Sequence, residues 1–213
     1  MRRAASRTVK LAAAAAAIFG VTVELLRGGS PAGALAMLSY YTLQSNIIVA
    51  AVCLAGAFAR GRESPAMAAA RGGATLWIAV TCIVYHFMLS ARHHPAGIYL
   101  AANLALHYFT ALAMAVDSAF LAERGLLRKR YAIYWLAYPA VYLAFAELKG
   151  AAGLGYPYWF LDPAAPFPKG AGSPAAVALI SASLFAFFGL AGLAMALADG
   201  AAAGRRARRS SPR

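Results

Sequence analysis

Thr42 and His107 are the side chains of this sequence whose types fit a reaction. A threonine hydroxyl is a weak nucleophile until a base takes its proton. A neutral imidazole can take it near pH 7, and a desolvated site keeps the imidazole neutral. The stretch YYTLQSN, residues 40–46, crowds Thr42, Gln44, Ser45 and Asn46 into five positions beside a long apolar run. An unpaired polar group in an apolar medium costs about 2–7 kcal/mol, so the protein must use these groups internally. Thr42, Ser45, Asn46 and Val49 fall at i, i+3, i+4 and i+7, one face of a helix. Asn103, His107, Thr110, Met114 and Asp117 form a second stripe by the same rule. Ser45, Asn46 or Asn103 would donate to a developing oxyanion, and Gln44 would fix its helix against a neighbour.

The elements that must position these residues are membrane spans. Apolar residues make up 62% of the 213-residue chain and charged residues 13%, against about 45–50% and 25% in an ordinary globular domain. About 20 apolar residues cross a bilayer as a helix. Six runs qualify: 9–26, 36–59, 74–91, 97–121, 131–148 and 174–198. The expected fold is therefore all-α, a polytopic membrane bundle of six transmembrane helices forming one domain over 1–204, with a basic tail over 205–213. Pro139 should kink the fifth span near AYPAVY. Stripes of small residues, Ala12, Ala16 and Gly20 in the first span and Gly192, Ala196 and Gly200 in the last, suit close helix contact in lipid.

Six spans put both termini on one side. That side carries sixteen of the twenty Lys and Arg residues; the other has only Arg27, Arg92, Lys149 and Lys169. This asymmetry makes both termini cytoplasmic. The net charge of +13 is thus a topology signal rather than a nucleic-acid footprint, and the basic side and RRARR tail would rest on anionic lipid headgroups. The opening MRRAASRTVKLAAAAAAIFG has the look of a signal peptide, with AGALA as a cleavage region. Because its apolar run continues through VTVELL, it reads as a retained first span. Cys53 and Cys82 lie in separate apolar runs and read as small buried hydrophobes.

In this topology the second span runs inward from the outer face, with Thr42 roughly 8–13 Å deep and His107 about 15 Å deep at about 1.5 Å per residue. Tyr85 and His86 fall in the outer third of the third span. Glu24 and Glu147 end the first and fifth spans on the same side. Ionisable groups within spans usually face the interior and mark function. A shared pocket of Glu24, Gln44, Ser45, Asn46, Tyr85, His86 and Asn103 around Thr42 and His107 is the economical arrangement. A substrate carboxylate would meet Arg92, Lys149 or the loop histidines His93 and His94.

Five ordered blocks, YYTLQSNIIVA at 40–50, TCIVYH at 81–86, NLALHY at 103–108, WLAYPAVY at 135–142 and YPYWFLD at 156–162, make the chain resemble the Pr6Pr family of six-span bacterial membrane proteins. Tyr41 replaces a family Phe, and Trp159 a family Pro. That family is distantly similar to the androgen-induced and androgen-dependent transmembrane threonine hydrolases, which cleave fatty-acid esters of hydroxy fatty acids. The resemblance implies a bacterial inner-membrane location, a lipid-ester substrate, Thr42 as nucleophile and His107 as general base, with no cofactor. The aromatic YPYWFLD loop would lie at the outer interface and cover the entrance.

Three other readings fit the same residues. His86 and His107 could ligate one haem iron, or join Glu24 around zinc. The second stripe, ending at Asp117, could relay protons in a transporter. Finally, the polar groups could tie helices together in a protein without catalytic function.

Overall fold

The computed structural model describes residues 1–210; residues 211–213, the end of the expected basic tail, lie outside the described residues. The described chain is all-helical, with no strand among the described residues. Helix α1 spans Arg2–Arg27, α2 Pro31–Met37, α3 Tyr41–Phe58 and α4 Pro65–Val84. A π-helical turn, Tyr85–Leu89, and a short 3-10 turn, Ser90–Arg92, extend α4. Helix α5, Ile98–Leu104, runs through a π turn at Ala105–Phe109 into α6, Thr110–Val116, and a further π turn at Asp117–Leu121. Then come α7, Tyr131–Tyr134, α8, Ala137–Ala151, and α9, Pro174–Ser210.

Local chemistry sets the starts of three of these helices. Ser30 accepts from the Gly33 N–H at 3.0 Å ahead of Pro31, Ser64 from the Met67 N–H at 3.2 Å ahead of Pro65, and Ser173 from the Ala176 N–H at 3.1 Å ahead of Pro174. All three are serine N-caps followed by a proline at the first helical position. Between α1 and α2 the backbones of Gly28 and Gly33 touch so closely that a Cβ on either would collide with the other. That contact lets the chain reverse and deliver α3.

Among the described residues, five helices are long and apolar enough to cross a membrane: Arg2–Arg27, Tyr41–Phe58, Pro65–Arg92, Ile98–Leu121 and Pro174–Arg205. The expected span over 131–148 is not among them, because Trp135 and Leu136 interrupt it as a turn between α7 and α8. Pro139 is the cause. It has no N–H for the Trp135 carbonyl, and its ring crowds that carbonyl. The expected kink is thus a full break. Other boundaries move: the first expected span, 9–26, lies in a helix that begins at Arg2, and the last, 174–198, in one that runs on to Ser210. The expected span 36–59 is divided by a turn at Leu38–Tyr40, and the expected start at residue 74 lies nine residues inside α4, whose cap is at Ser64.

The chain forms two compact units, Met1–Lys129 with the end of α9 from Met195, and Arg130–Ala194. In the first, α1 packs along α3, α3 along α4, α4 on α6, and α1 also on α5 and α6. The unit buries polar groups among its apolar core residues and exposes large apolar ones. Asn46, Thr110, Ser45 and Asp117 are no more than 1% exposed, whereas Leu112 is 64% and Phe120 69% exposed. Water would reverse this pattern; lipid favours it, because hydrocarbon offers polar groups no partners. This is a membrane protein. The small-residue stripe of α1 keeps Gly20 but falls one position later at its other two members. Ala13, Ala17 and Gly20 are buried, while Ala12 is exposed. At 3.6 residues per turn a strict repeat of four drifts off the contact face. In α9, Gly192 and Ala196 are buried but Gly200 is exposed.

The second unit holds α7, α8 and the aromatic loop. Tyr158 and Phe160 stack at 5.2 Å between ring centroids, and Trp159 meets Phe167 edge-on at 5.8 Å. Lys149 donates to the carbonyls of Leu154 and Gly155, each at 2.7 Å, which ties down the chain after α8.

Candidate active site

Thr42 lies in the first turn of α3, not one or two turns below its start. The turn before it is held by side chains. The Ser39 hydroxyl donates to the Ala36 carbonyl at 2.6 Å, and the Gln44 amide donates to the Leu38 carbonyl at 2.8 Å. Gln44 thus anchors the turn between α2 and α3 and stays half-buried.

His107 is carried by the π turn at Ala105–Phe109. Such turns widen the helix by one residue and are frequent at functional sites. Its Nε2 lies 3.3 Å from Thr42 Oγ1. Its Nδ1 lies 3.1 Å from the Asn103 carbonyl oxygen. A carbonyl only accepts, so Nδ1 carries the proton and the neutral ring presents a bare Nε2 to the threonine hydroxyl. This is the tautomer a general base needs. Thr42 and His107 are 7% and 8% exposed. The Tyr85 ring stacks on the imidazole at 3.7 Å between centroids and 21° between planes, which fixes its tilt. Tyr85 also begins a π turn, as does Asp117.

Asn46 and Ser45 have structural partners. The Asn46 amide donates to the Thr42 carbonyl at 2.8 Å and to the Leu106 carbonyl at 3.0 Å. Both of its hydrogens are committed, so it clamps α3 to the helix bearing His107 and has none left for an oxyanion. Its Oδ1 is buried and has no hydrogen-bond partner among the described residues. Ser45 Oγ lies 3.1 Å from the Thr42 carbonyl and 3.2 Å from Thr81 Oγ1, and the Thr81 hydroxyl donates to the Trp77 carbonyl at 2.9 Å. The single Ser45 proton therefore stays within this network.

Asn103 extends the site outward. Its carbonyl fixes the His107 tautomer, its amide lies 3.2 Å from His93 Nδ1, and its side chain is hydrogen-bonded to Tyr85. His93 is half-buried, beyond the end of its helix. Burial pushes its imidazole below the ordinary histidine range, and the Arg27 charge pushes the same way. Its neutral Nδ1 accepts from Asn103. Glu24 pairs with Arg27 at 3.6 Å and counters that push on His93. Glu24 is thus tied to the site through His93 and not to the dyad itself.

His86 is the pocket residue that turns away. It is exposed, and its Nδ1 lies 3.2 Å from the Tyr108 hydroxyl. Its neighbour Tyr85 faces inward, and one residue further round a helix points elsewhere. Both ring nitrogens of His107 are engaged, by Thr42 and by the Asn103 carbonyl. Among the described residues no three His, Cys, Asp or Glu side chains gather where they could hold a metal ion. Asp117 lies at the other end of its stripe, paired with Lys10 at 3.2 Å.

Sequence reasoning missed Thr81, and it placed His93 in a loop as a partner for a substrate carboxylate rather than beside Asn103. Thr81 lies four residues before Tyr85 on one helix face, a spacing that would have found it. His93 is placed by the chain reversal alone. The chain was compared with family models, curated proteins and solved structures, and none of the three comparisons found a match.

Proposed function

We propose that the chain is an intramembrane threonine hydrolase of lipid esters, with Thr42 as nucleophile and His107 as general base. The observation that carries this reading is the 3.3 Å approach of Thr42 Oγ1 to an imidazole nitrogen whose other nitrogen donates to the Asn103 carbonyl. Catalytic hydrogen bonds are often loose without substrate.

In the reaction, Thr42 Oγ1 attacks the ester carbonyl carbon as its proton passes to His107 Nε2. The C–O bond to the leaving alcohol then breaks, and that oxygen takes the proton from His107. An acyl-threonine remains. Water attacks it, giving its proton to His107. The bond to Thr42 breaks, Oγ1 recovers the proton, and a fatty acid leaves. Negative charge develops beside the first turn of α3, where the positive end of an 18-residue helix favours it. The unpartnered Asn46 Oδ1 would accept from the hydrolytic water or a substrate hydroxyl.

The reading extends to the fold. α7 and α8, residues 131–151, would together supply a sixth span broken at Pro139, with both termini cytoplasmic on the charge asymmetry. The location would be a bacterial inner membrane. The Pr6Pr resemblance rests on the five sequence blocks and implies the same two residues.

The test is labelling of the purified protein by a fluorophosphonate probe. Wild type should label, while Thr42→Ala and His107→Ala, each verified as folded by circular dichroism, should not. A wild type that stays unlabelled, or a Thr42→Ala that labels equally, ends the proposal.

A further inference from the structure

The end of the bundle opposite Thr42 holds a cavity of about 530 Å³. It lies where α1 and α4 begin and where α3 and the Asp117–Leu121 turn end. Arg3, Arg7, Lys10, Arg60 and Arg62 line it, with Glu63 and Glu123 as the only carboxylates in its wall.

Most of these charges have internal partners. Lys10 is balanced by Asp117 at 3.2 Å, and Glu63 is taken by Arg71 at 2.8 Å. Arg3 and Arg62 share the single carboxylate of Glu123, at 3.8 and 3.3 Å. That sharing and the Glu63 N–H hold the Glu123 carboxyl below the usual range, against the opposing pull of its slight burial. Arg7 lies over the Phe58 ring, 5.5 Å from its centroid, and among the described residues neither Arg7 nor Arg60 has a carboxylate partner. Once each pair is balanced, an excess of three positive charges remains: one from the shared Glu123, one from Arg7 and one from Arg60.

We propose that this cavity is a binding site for a phosphate ester, the headgroup of an anionic lipid or a soluble molecule of the same chemistry. Its volume is that of a small-ligand site, typically about 300–1,000 Å³. Arginine forks suit phosphate oxygens. Apolar wall residues Ala57, Met67 and Leu121 give a glycerol or acyl segment a surface to lie on. The site is independent of the Thr42–His107 chemistry.

The full-length protein, delipidated in detergent, would be titrated with dioleoyl phosphatidylglycerol and dioleoyl phosphatidylcholine and read by native mass spectrometry. Phosphatidylglycerol should bind in preference. An Arg7→Gln/Arg60→Gln double variant should weaken it about 30-fold, two cations' share of surface attraction. An Arg128→Gln/Lys129→Gln variant, equal in charge but outside the cavity wall, should bind as wild type. In parallel, glycerol 3-phosphate would be tested for raising the melting temperature. Protection of wild type but not of the Arg7/Arg60 variant, without lipid preference, identifies a soluble phosphate ester. Equal losses in both double variants mean diffuse surface charge and overturn the site. So does the absence of both lipid preference and glycerol 3-phosphate protection.

Discussion

The two ends of the first unit bury polar groups in opposite ways. Around Thr42 and His107 the buried groups are hydroxyls, amides and imidazole. At the other end they are ions. Arg71, 2% exposed, is gripped by Glu63 through two nitrogens at 2.8 and 3.1 Å and donates to Ser118 at 2.8 Å. Asp117 is held by Lys10 and by the Ser6 hydroxyl. A neutral network can move a proton at modest cost. An ion pair in low dielectric is locked, because separating it strands a charge. One end is built to react, the other to hold helices together.

The contrast breaks most sharply with Thr42→Ala or His107→Ala. Ester hydrolysis should fall by about 10³-fold or more, since removing either partner of an activated nucleophile leaves only residual catalysis. Melting temperature in detergent should change little for Thr42→Ala and should fall for His107→Ala, which empties the place of a buried, stacked ring.

Glu63→Gln should do the reverse. It leaves Arg71 buried without a counter-charge, a loss of about 3–5 kcal/mol, read as an early unfolding transition, while fluorophosphonate labelling of the folded fraction persists. Labelling lost in step with Thr42→Ala would erase the distinction between the ends.

Gly20→Ala should cost about 1–3 kcal/mol by overpacking. Its Cβ would come within 2.7 Å of Leu106 Cδ2, next to His107, so the thermal shift should come with weaker labelling. Tyr85→Phe keeps the stacked ring and should keep most activity. Tyr85→Leu removes the ring and should lower kcat about tenfold, within the cost of a misplaced catalytic group. Equal rates for the two would show that the ring does not position His107.

The smallest effect is a pH dependence at the outer rim. His93 is held neutral in the fold, below its ordinary value of about 6.5. The unfolded chain therefore binds its proton first as pH falls. Stability from this group is complete above that value and declines below it. An NMR titration of His93 should give a midpoint below that of a free histidine. A midpoint above it would reverse the sign.

Much of this was written in the sequence. Apolar content and the two polar stripes marked a helical membrane protein with its polar face inward, and Thr42, Ser45, Asn46, Asn103, His107, Thr110 and Asp117 are all buried. Span limits were less legible where charge and burial conflict. Arg71 falls outside the expected span over 74–91, because its partner Glu63, eight residues away, is visible only once α4 extends back to Ser64.

Periodicity fixes which residues share a face, since it depends on a repeat of about 3.6 residues. It cannot fix which faces meet or at what height. The tertiary structure alone decided that Thr42 meets Nε2 of His107, that Asn46 clamps rather than donates, that His86 turns out, and that five cations border one cavity. These outcomes depend on π turns that shift helix register and on contacts between residues 60 to 120 positions apart. No local pattern encodes them, because the energy that selects them arises only when whole helices pack.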